Sequence, residues 1–370
     1  MSFIGSGLEG KEKEMSGFID QSRPVRQGEE LPLPALKNYL LDKLPELKLT
    51  GEIEVSQFPS GYSNLTYLLK IGDRELVLRR PPFGSKVKTA HDMGREWRIF
   101  SALAPVYAKV PKPLIFCEDE SVIGAKFYVM ERLKGVILRR SNPGLVITPE
   151  QASRLSESFI RNLAELHSLD YEKIGLGNLG KPEGYMERQV NGWAERYFGS
   201  QTDEIPEIPR VIDWLKKNRP PSPPPTLVHG DYKYDNLVLD PADLTRIIGV
   251  LDWEMATIGD PLSDVGIALG YWVNPDDPET LKAASFGPTH IPGSYTRRKL
   301  ADRYAELTGR DLSNINFYVI FAEFKIAVIV QQIYYRYVKG HTRDERFKPL
   351  ILMVALLART AEEMVNKGRI

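Results

Sequence analysis

The fourteen residues LVHGDYKYDNLVLD, 227–240, leave the chain around them few ways to fold. Apolar runs at both ends demand burial, yet a His, three carboxylates and an Asn sit between them. Runs this short suit strands better than helices. Either a solvated turn joins two strands, or a polar site stands at the mouth of a hydrophobic core.

The neighbouring sequence favours the second arrangement. "NLVLD" (236–240) leads through the turn "PAD" into "RIIGVLDW" (246–253), the pattern of a hairpin. A hairpin returns its end to its start, so Asp252 is expected near Asn236, with Asp231 five residues before Asn236 on the same loop. An Asn carbonyl oxygen and an Asp carboxylate are hard oxygen ligands, suited to a Mg²⁺ that takes its other ligands from water and phosphates. Asp231 is then left to accept a proton from a substrate hydroxyl. A catalytic Asp, an Asn five residues on and a metal Asp on a later strand divide the labour of kinase phosphoryl transfer. Each residue alone is an ordinary turn former. Their joint order, with strands where they are needed, carries the weight. His229 is read as a satisfied buried histidine rather than a proton carrier.

Upstream the chain is strand-rich. "GEIEVSQF" alternates apolar and polar, and "NLTYLLK" and "RELVLRR" flank the turn "IGD". A helix is expected over 90–104, with Trp97, Phe100 and Leu103 as its buried stripe. Two further strands follow, in "PLIFCED" and "KFYVMERL". Beyond Leu133 the pattern turns helical. "TPEQ" at 148–151 offers a capping box, and Leu155, Phe159, Leu163 and Leu166 recur on one face. "RPPSPPP" (219–225) reads as a stiff connector, and long helices are expected near 313–338 and 349–366. The division expected is therefore a flexible tail over 1–34, a nucleotide-binding unit of sheet and helix over 35–133, and a helical unit over 134–370. The last carries the catalytic and metal-binding loops and an insert at about 175–210.

Composition narrows the partners. Lys plus Arg and Asp plus Glu number 49 each, so net charge argues for neither nucleic acid nor an anionic membrane. Cys117 stands alone, which excludes an intramolecular disulfide and fits a reducing compartment. The first thirty residues lack a basic segment followed by an apolar one, so no signal peptide is read there and a cytoplasmic location is expected. The apolar stretch 317–335 is interrupted by Glu323, Lys325, Gln331 and Gln332, and reads as a buried helix rather than a membrane span. Oligomeric state is left open.

A nucleotide also needs a cover and a cation. "FPSGYSNLTYLLK" (58–70) lies between two strands, and Ser60, Gly61, Ser63 and Asn64 could offer backbone N–H groups to phosphates, although a plain hairpin turn reads equally well. On "LVLRRPP", alternation places Val77 and Arg79 on one face and Arg80 on the other. Arg79 paired with Glu96 of the helix could present its planar fork to the α and β phosphates.

These motifs resemble a known family. "HGD-x-x-x-x-N … LDWE", with "WEMATIGDPLSDVG" (253–266) behind it, resembles the aminoglycoside phosphotransferase superfamily, whose members fold like protein kinases. "SGYSNLTYLL", "VLRRPP" with Arg where protein kinases carry Lys, and "HGDYKYDNLVLD" are similar to its acyl-CoA-dehydrogenase-associated branch. The resemblance spans about 35–340. It implies an α+β, bilobal protein-kinase-like fold, with a small β-rich N-lobe holding one main helix and a larger, mostly helical C-lobe. It implies ATP and Mg²⁺ as cofactors, with Asp231 as the catalytic base and Asn236 and Asp252 as metal ligands. The backbone of Met130, Glu131 and Arg132 is expected at the adenine edge, with Ile115 and Phe127 as candidate apolar walls. Asp260 and Asp264 are expected to tie the catalytic loop to the helical lobe, and His167 to be a cap or core group.

The activity expected is transfer of the γ-phosphoryl group to a hydroxyl of a small molecule. The insert 175–210 is mixed in charge and carries Tyr185, Trp193, Tyr197 and Phe198, while Arg139 and Arg140 follow the linker. This suits an acceptor with apolar and anionic parts, and the branch points to a hydroxyacyl-CoA or hydroxy acid. An aminoglycoside or other small-alcohol kinase, and a nucleotide-binding pseudokinase scaffold, stay open as alternatives.

Overall fold

The three alternating runs become antiparallel strands: β1 (Ile53–Gln57), β2 (Leu65–Ile71) and β3 (Arg74–Arg80). This is seen in a computed structural model that describes residues 17–59, 64–83, 92–342 and 344–368. Gly72 turns β2 into β3 at φ +59°, in the left-handed region. β4 (Pro113–Cys117) and β5 (Phe127–Glu131) complete a five-stranded sheet in the order β1-β2-β3-β5-β4. One face of this sheet packs on helix α1 (Leu33–Lys43): Leu36 and Leu40 are fully buried in one core with Tyr67, Leu69, Leu78, Phe127 and Val129. Burying such side chains contributes about 1.5–3 kcal/mol each. The opposite face takes helix α2 (Met93–Leu103), where Phe100 lies 5.8 Å from the ring of Tyr128.

The buried stripe of α2 is Met93, Glu96, Ile99, Phe100 and Leu103. Trp97, expected in it, is instead half-buried and stacks on Phe116 at 6.1 Å, because the helix turns the charged Glu96 inward. The tail expected over 1–34 ends earlier among the described residues. Arg23 and Gln57 exchange backbone hydrogen bonds of 2.8 and 2.7 Å, and α1 starts at Leu33.

The remaining helices are α3 (Pro149–His167), α4 (Tyr185–Ser200), α5 (Glu207–Lys217), α6 (Pro261–Gly270), α7 (Glu279–Ala284), α8 (Arg297–Thr308), α9 (Ile315–Val338) and α10 (Leu350–Lys367). The capping box forms at the start of α3. Thr148 accepts from the Gln151 N–H at 3.2 Å and donates its own N–H to Gln151 Oε1 at 2.9 Å. Two short ladders accompany the helices: β6 (Thr226–Val228) pairs with β9 (Thr257–Gly259), and β7 (Leu237–Leu239) with β8 (Ile247–Val250). The chain divides into two compact units. One runs up to Ile137 and includes Leu237–Glu254; the other comprises Leu138–Asn236 and everything from Met255 onward. A single cut after residue 133 therefore misplaces the β7–β8 hairpin, which joins the first unit.

Helix α9 is long and apolar enough to cross a membrane by length and composition, and 78% of its apolar window is buried inside the fold against α4, α6 and α10. Glu323 in it is 2% exposed, with a buried Oε2 that has no hydrogen-bond partner. Burial pushes its carboxyl up to about 7, with Arg297 opposing the shift and Asp277 adding to it. A raised carboxyl gives stability that is present below the unfolded value near 4.5 and is lost as pH rises through about 7. Glu323→Gln is therefore expected to stabilise the protein by about 1–3 kcal/mol at pH 8 and by less than about 1 kcal/mol at pH 5. Thermal denaturation of both proteins at the two pH values measures this, and a gain equal at both would contradict it.

Candidate active site

In the second unit the functional loop leaves β6 through Gly230, whose φ is +81°. A Cβ there would come within 2.9 Å of the Met255 carbonyl oxygen, so only glycine fits. The backbone N–H groups of His229 and Gly230 donate to Asp264 of α6 at 2.6 and 2.7 Å. His167, at the end of α3, holds Asp264 through Nε2 at 3.2 Å, and its Nδ1 lies 2.7 Å from the Tyr304 hydroxyl. Burial pushes the Asp264 carboxyl up, but His167 and His229 outweigh burial and hold it below the usual carboxylate range. Asp260 differs from expectation: it does not hold the loop. Its side chain caps α6 by accepting from Leu262 N–H at 2.9 Å, and accepts from the Tyr318 hydroxyl of α9 at 2.7 Å.

Loop geometry gathers Asp231 and Asn236. The Asn236 side-chain amide donates to the Asp231 carbonyl at 2.8 Å and to Asp231 Oδ2 at 3.0 Å. Since its nitrogen is engaged this way, the Asn236 carbonyl oxygen is the atom suited to a cation. Lys233 also donates to Asp231 Oδ2, at 2.8 Å, and its Nζ lies 3.8 Å from Asp235 and 4.8 Å from the Tyr271 ring centre. Burial raises the Asp231 carboxyl, but Lys233, Lys325 and His229 together bring it below its ordinary value. Asp231 is thus an ionised acceptor.

The first unit carries a separate group. Arg79 pairs with Glu96 of α2 through one guanidinium nitrogen and reaches Asp252 Oδ1 at 3.3 Å through the other. The alternation read from "LVLRRPP" therefore holds: Arg79 faces Glu96, and Arg80 turns to the Ile123 carbonyl at 3.0 Å and the Phe83 ring. Burial disfavours charge on Arg79, but Glu96, Asp252 and Glu254 overcome it and keep the guanidinium charged. Its Nε and Glu96 Oε2 are buried, and the Tyr128 hydroxyl acts on both Arg79 and Glu96. Asp252 has φ +65°, a left-handed backbone that a non-glycine residue keeps only when its surroundings impose it. In the β7–β8 ladder Leu237, which follows Asn236 in sequence, pairs with Val250, two residues before Asp252.

Other expected positions are revised. Ser60, Gly61 and Ser63 lie outside the described residues; Asn64 is buried and donates to Glu254 at 3.3 Å. Phe127 and Ile115 cannot wall a site on the Arg79 face, because both belong to the core on the α1 side of the sheet. Register puts Leu68, Val77 and Met130 on the Arg79 face instead. The backbones of Met130 and Glu131 are paired within the sheet, and the Glu131 N–H donates to the Lys112 carbonyl at 2.9 Å. That leaves Arg132, of the three, as the one beyond the strand; its side chain donates to Glu75 and the Asp20 carbonyl, each at 2.7 Å. Of the insert's aromatics, Tyr185, Trp193 and Tyr197 are buried and Phe198 is exposed.

Among the described residues no three His, Cys, Asp or Glu side chains form a metal cage. An Asn carbonyl oxygen and an Asp carboxylate are each hard oxygen donors of the kind Mg²⁺ takes beside waters and phosphate oxygens. Arg79→Ala is expected to weaken nucleotide binding by at least about tenfold and Arg80→Ala by less than about twofold, since Arg79 is the one aimed with Glu96 and Asp252 while Arg80 turns to the Ile123 carbonyl. Titration calorimetry with the Mg²⁺ complex of ATP compares them, and a costlier Arg80 substitution would reverse the assignment.

A strand-rich unit with a buried Arg–Glu pair and a helical unit with an Asp–Asn loop define a kinase-like phosphotransferase of the small-molecule type. The chain belongs to the phosphotransferase enzyme family, whose model matches residues 54–300. It is 40% identical over 321 residues to acyl-CoA dehydrogenase family member 11 of Rattus norvegicus, covering 84% of this chain and 40% of that protein. The chain thus spans less than half the length of that relative. Among solved structures, a protein of Ralstonia eutropha JMP134 whose name assigns it to the aminoglycoside phosphotransferases is 32% identical. It superposes with a TM-score of 0.77 over 91% of this chain and 99% of its own. The GDP complex of aminoglycoside 2'-phosphotransferase-IIIa is 15% identical, with a TM-score of 0.58 over 90% of this chain and 99% of its own, and shares the fold.

Proposed function

We propose that the protein transfers the γ-phosphoryl group of ATP to a hydroxyl of a small molecule bearing an anionic group, a hydroxyacyl-CoA or hydroxy acid. The observation that carries this reading is the charge around Asp231. Lys233 lies 2.8 Å away, and Lys325 also lowers its carboxyl. Arg139, from the segment after the linker, acts on the neighbouring Asp235. Polycationic aminoglycosides suit a carboxylate-rich acceptor side; here Lys233, Lys325 and Arg139 offset the carboxylates of Asp231 and Asp235. The name of the rat relative adds an acyl-CoA connection.

In this reading Asn236 and Asp252 would be the donors to a Mg²⁺, which would supply charge neutralisation for the phosphates. Arg79, oriented by Glu96, binds the α and β phosphates. Lys233 and Asn236 fix Asp231 through Oδ2, so Oδ1 receives the acceptor's hydrogen. The acceptor oxygen bonds to the γ phosphorus as the bond to the β–γ bridging oxygen breaks, the electron pair leaving with ADP and the proton passing to Asp231. Positioning and electrostatics carry the rate. Measuring ADP formation with 4-hydroxyacyl-CoAs, hydroxy acids and aminoglycosides tests this. Turnover of the acyl panel is expected; turnover confined to aminoglycosides would overturn the acceptor assignment.

A further inference from the structure

Lys325 lies in the middle of α9, 5% exposed, and no sequence motif draws attention to it. Its ammonium donates to the Gly230 carbonyl at 2.7 Å and sits 5.3 Å from the ring centre of Trp193 on α4. That carbonyl belongs to the same rigid peptide plane as the Asp231 N–H. The plane is held at its other edge by His229 Nδ1, which accepts from Asp231 N–H at 3.3 Å. The preceding N–H, of Gly230, is held by Asp264 at 2.7 Å. The residue before Asp231 is thus gripped by α6 through its N–H and by α9 through its C=O. The direction in which the Asp231 side chain leaves the loop follows from that grip.

We propose that Lys325 is a positioning residue for Asp231, a latch that holds the Gly230–Asp231 peptide firmly only while its ammonium carries a charge, so that turnover falls when the proton is lost. This inference rests on the phosphotransfer role given to Asp231 above. A charge-assisted hydrogen bond is roughly twice as strong as a neutral one, so a neutral amine would loosen the grip without abolishing it. Burial pushes the Lys325 ammonium down to about 8, with Asp231 and Asp264 opposing the shift and Lys233 and Arg196 adding to it. The groups that face it are Asp231 and Lys233 from the loop, Asp264 from α6 and Arg196 from α4. Asp231 and Asp264 are held below the usual carboxylate range and Lys233 above the usual ammonium range, so none of these three changes charge at mildly alkaline pH.

The full chain, Lys325→Arg and Lys325→Met are compared for kcat with Mg²⁺-ATP from pH 6 to 10, with ATP hydrolysis to phosphate as the reaction followed when no acceptor is added. In the wild type kcat is expected to fall above pH 8 while KM for ATP stays level. Lys325→Arg should abolish that fall, because a guanidinium stays charged, and Lys325→Met should lose at least about tenfold in kcat at pH 7. An unchanged alkaline fall in Lys325→Arg, or full activity in Lys325→Met, overturns the latch. Amide hydrogen exchange at pH 7 supplies a readout that needs no turnover. Residues 229–236 should exchange faster in Lys325→Met and at the wild-type rate in Lys325→Arg; unchanged exchange in Lys325→Met overturns the latch as well. If the wild type hydrolyses and transfers nothing, the phosphotransfer reading fails, and the exchange comparison still decides whether Lys325 grips the loop.

Discussion

Asp231→Asn is expected to lower kcat by about 10²–10⁴-fold while leaving nucleotide affinity within about twofold. The substitution is nearly isosteric, and Asn can still accept from Lys233 and Asn236, which now meet Asp231 Oδ2 at 2.8 and 3.0 Å. What it loses is the capacity to take a proton. Lys233, Lys325 and His229 outweigh burial and keep the native carboxylate below its ordinary value, so it stays ionised at neutral pH. Its own titration should therefore be absent from the acid side of the rate profile. A steady-state assay beside titration calorimetry separates the two effects. A variant with native kcat would remove Asp231 from the chemistry.

Asp252→Asn should be nearly as costly, by a different route. Asn tolerates the φ of +65° found at this position, so the backbone survives the change. The negative charge does not. The gain in nucleotide affinity on adding Mg²⁺ should disappear, and kcat/KM should fall by about 10²–10³-fold. Asp252→Ala should add about 1–2 kcal/mol of destabilisation, because a Cβ without a polar side chain is poorly placed in the left-handed region. Comparing the two variants by Mg²⁺ titration and thermal denaturation separates charge from strain. Unaltered Mg²⁺ dependence in Asp252→Asn would end its assignment as a ligand.

The strands, the capping box at Thr148 and the facing of Arg79 were legible because each is written in a local period: two residues for a strand, three to four for a helix. The same alternation could have separated Phe127 from Met130, since neighbours on β5 face opposite sides of the sheet. It could not say which side holds α1, because a helix covering a sheet leaves no mark on the strand's own period. Asp260 and Asp264 look alike in "GDPLSDVG", yet one caps α6 and the other holds the loop. That choice is made by three-dimensional placement. Lys325 left one faint trace, a cation in a helix otherwise read as core, and its partner at Gly230 lies 95 residues away in the chain.

The β7–β8 hairpin has a consequence for how the protein is made. The first unit needs Leu237–Glu254, which the ribosome delivers only after the whole of 138–236 has emerged. Its five-stranded sheet can assemble early, but the segment that contributes Asp252 arrives late and from the far side of another unit's sequence. Synthesis therefore cannot finish one half before starting the other. A fragment ending at residue 137 would hold Arg79 and Glu96 but lack the Asp252 carboxylate that Arg79 meets at 3.3 Å. Neither half can be cut out as one continuous stretch of polypeptide.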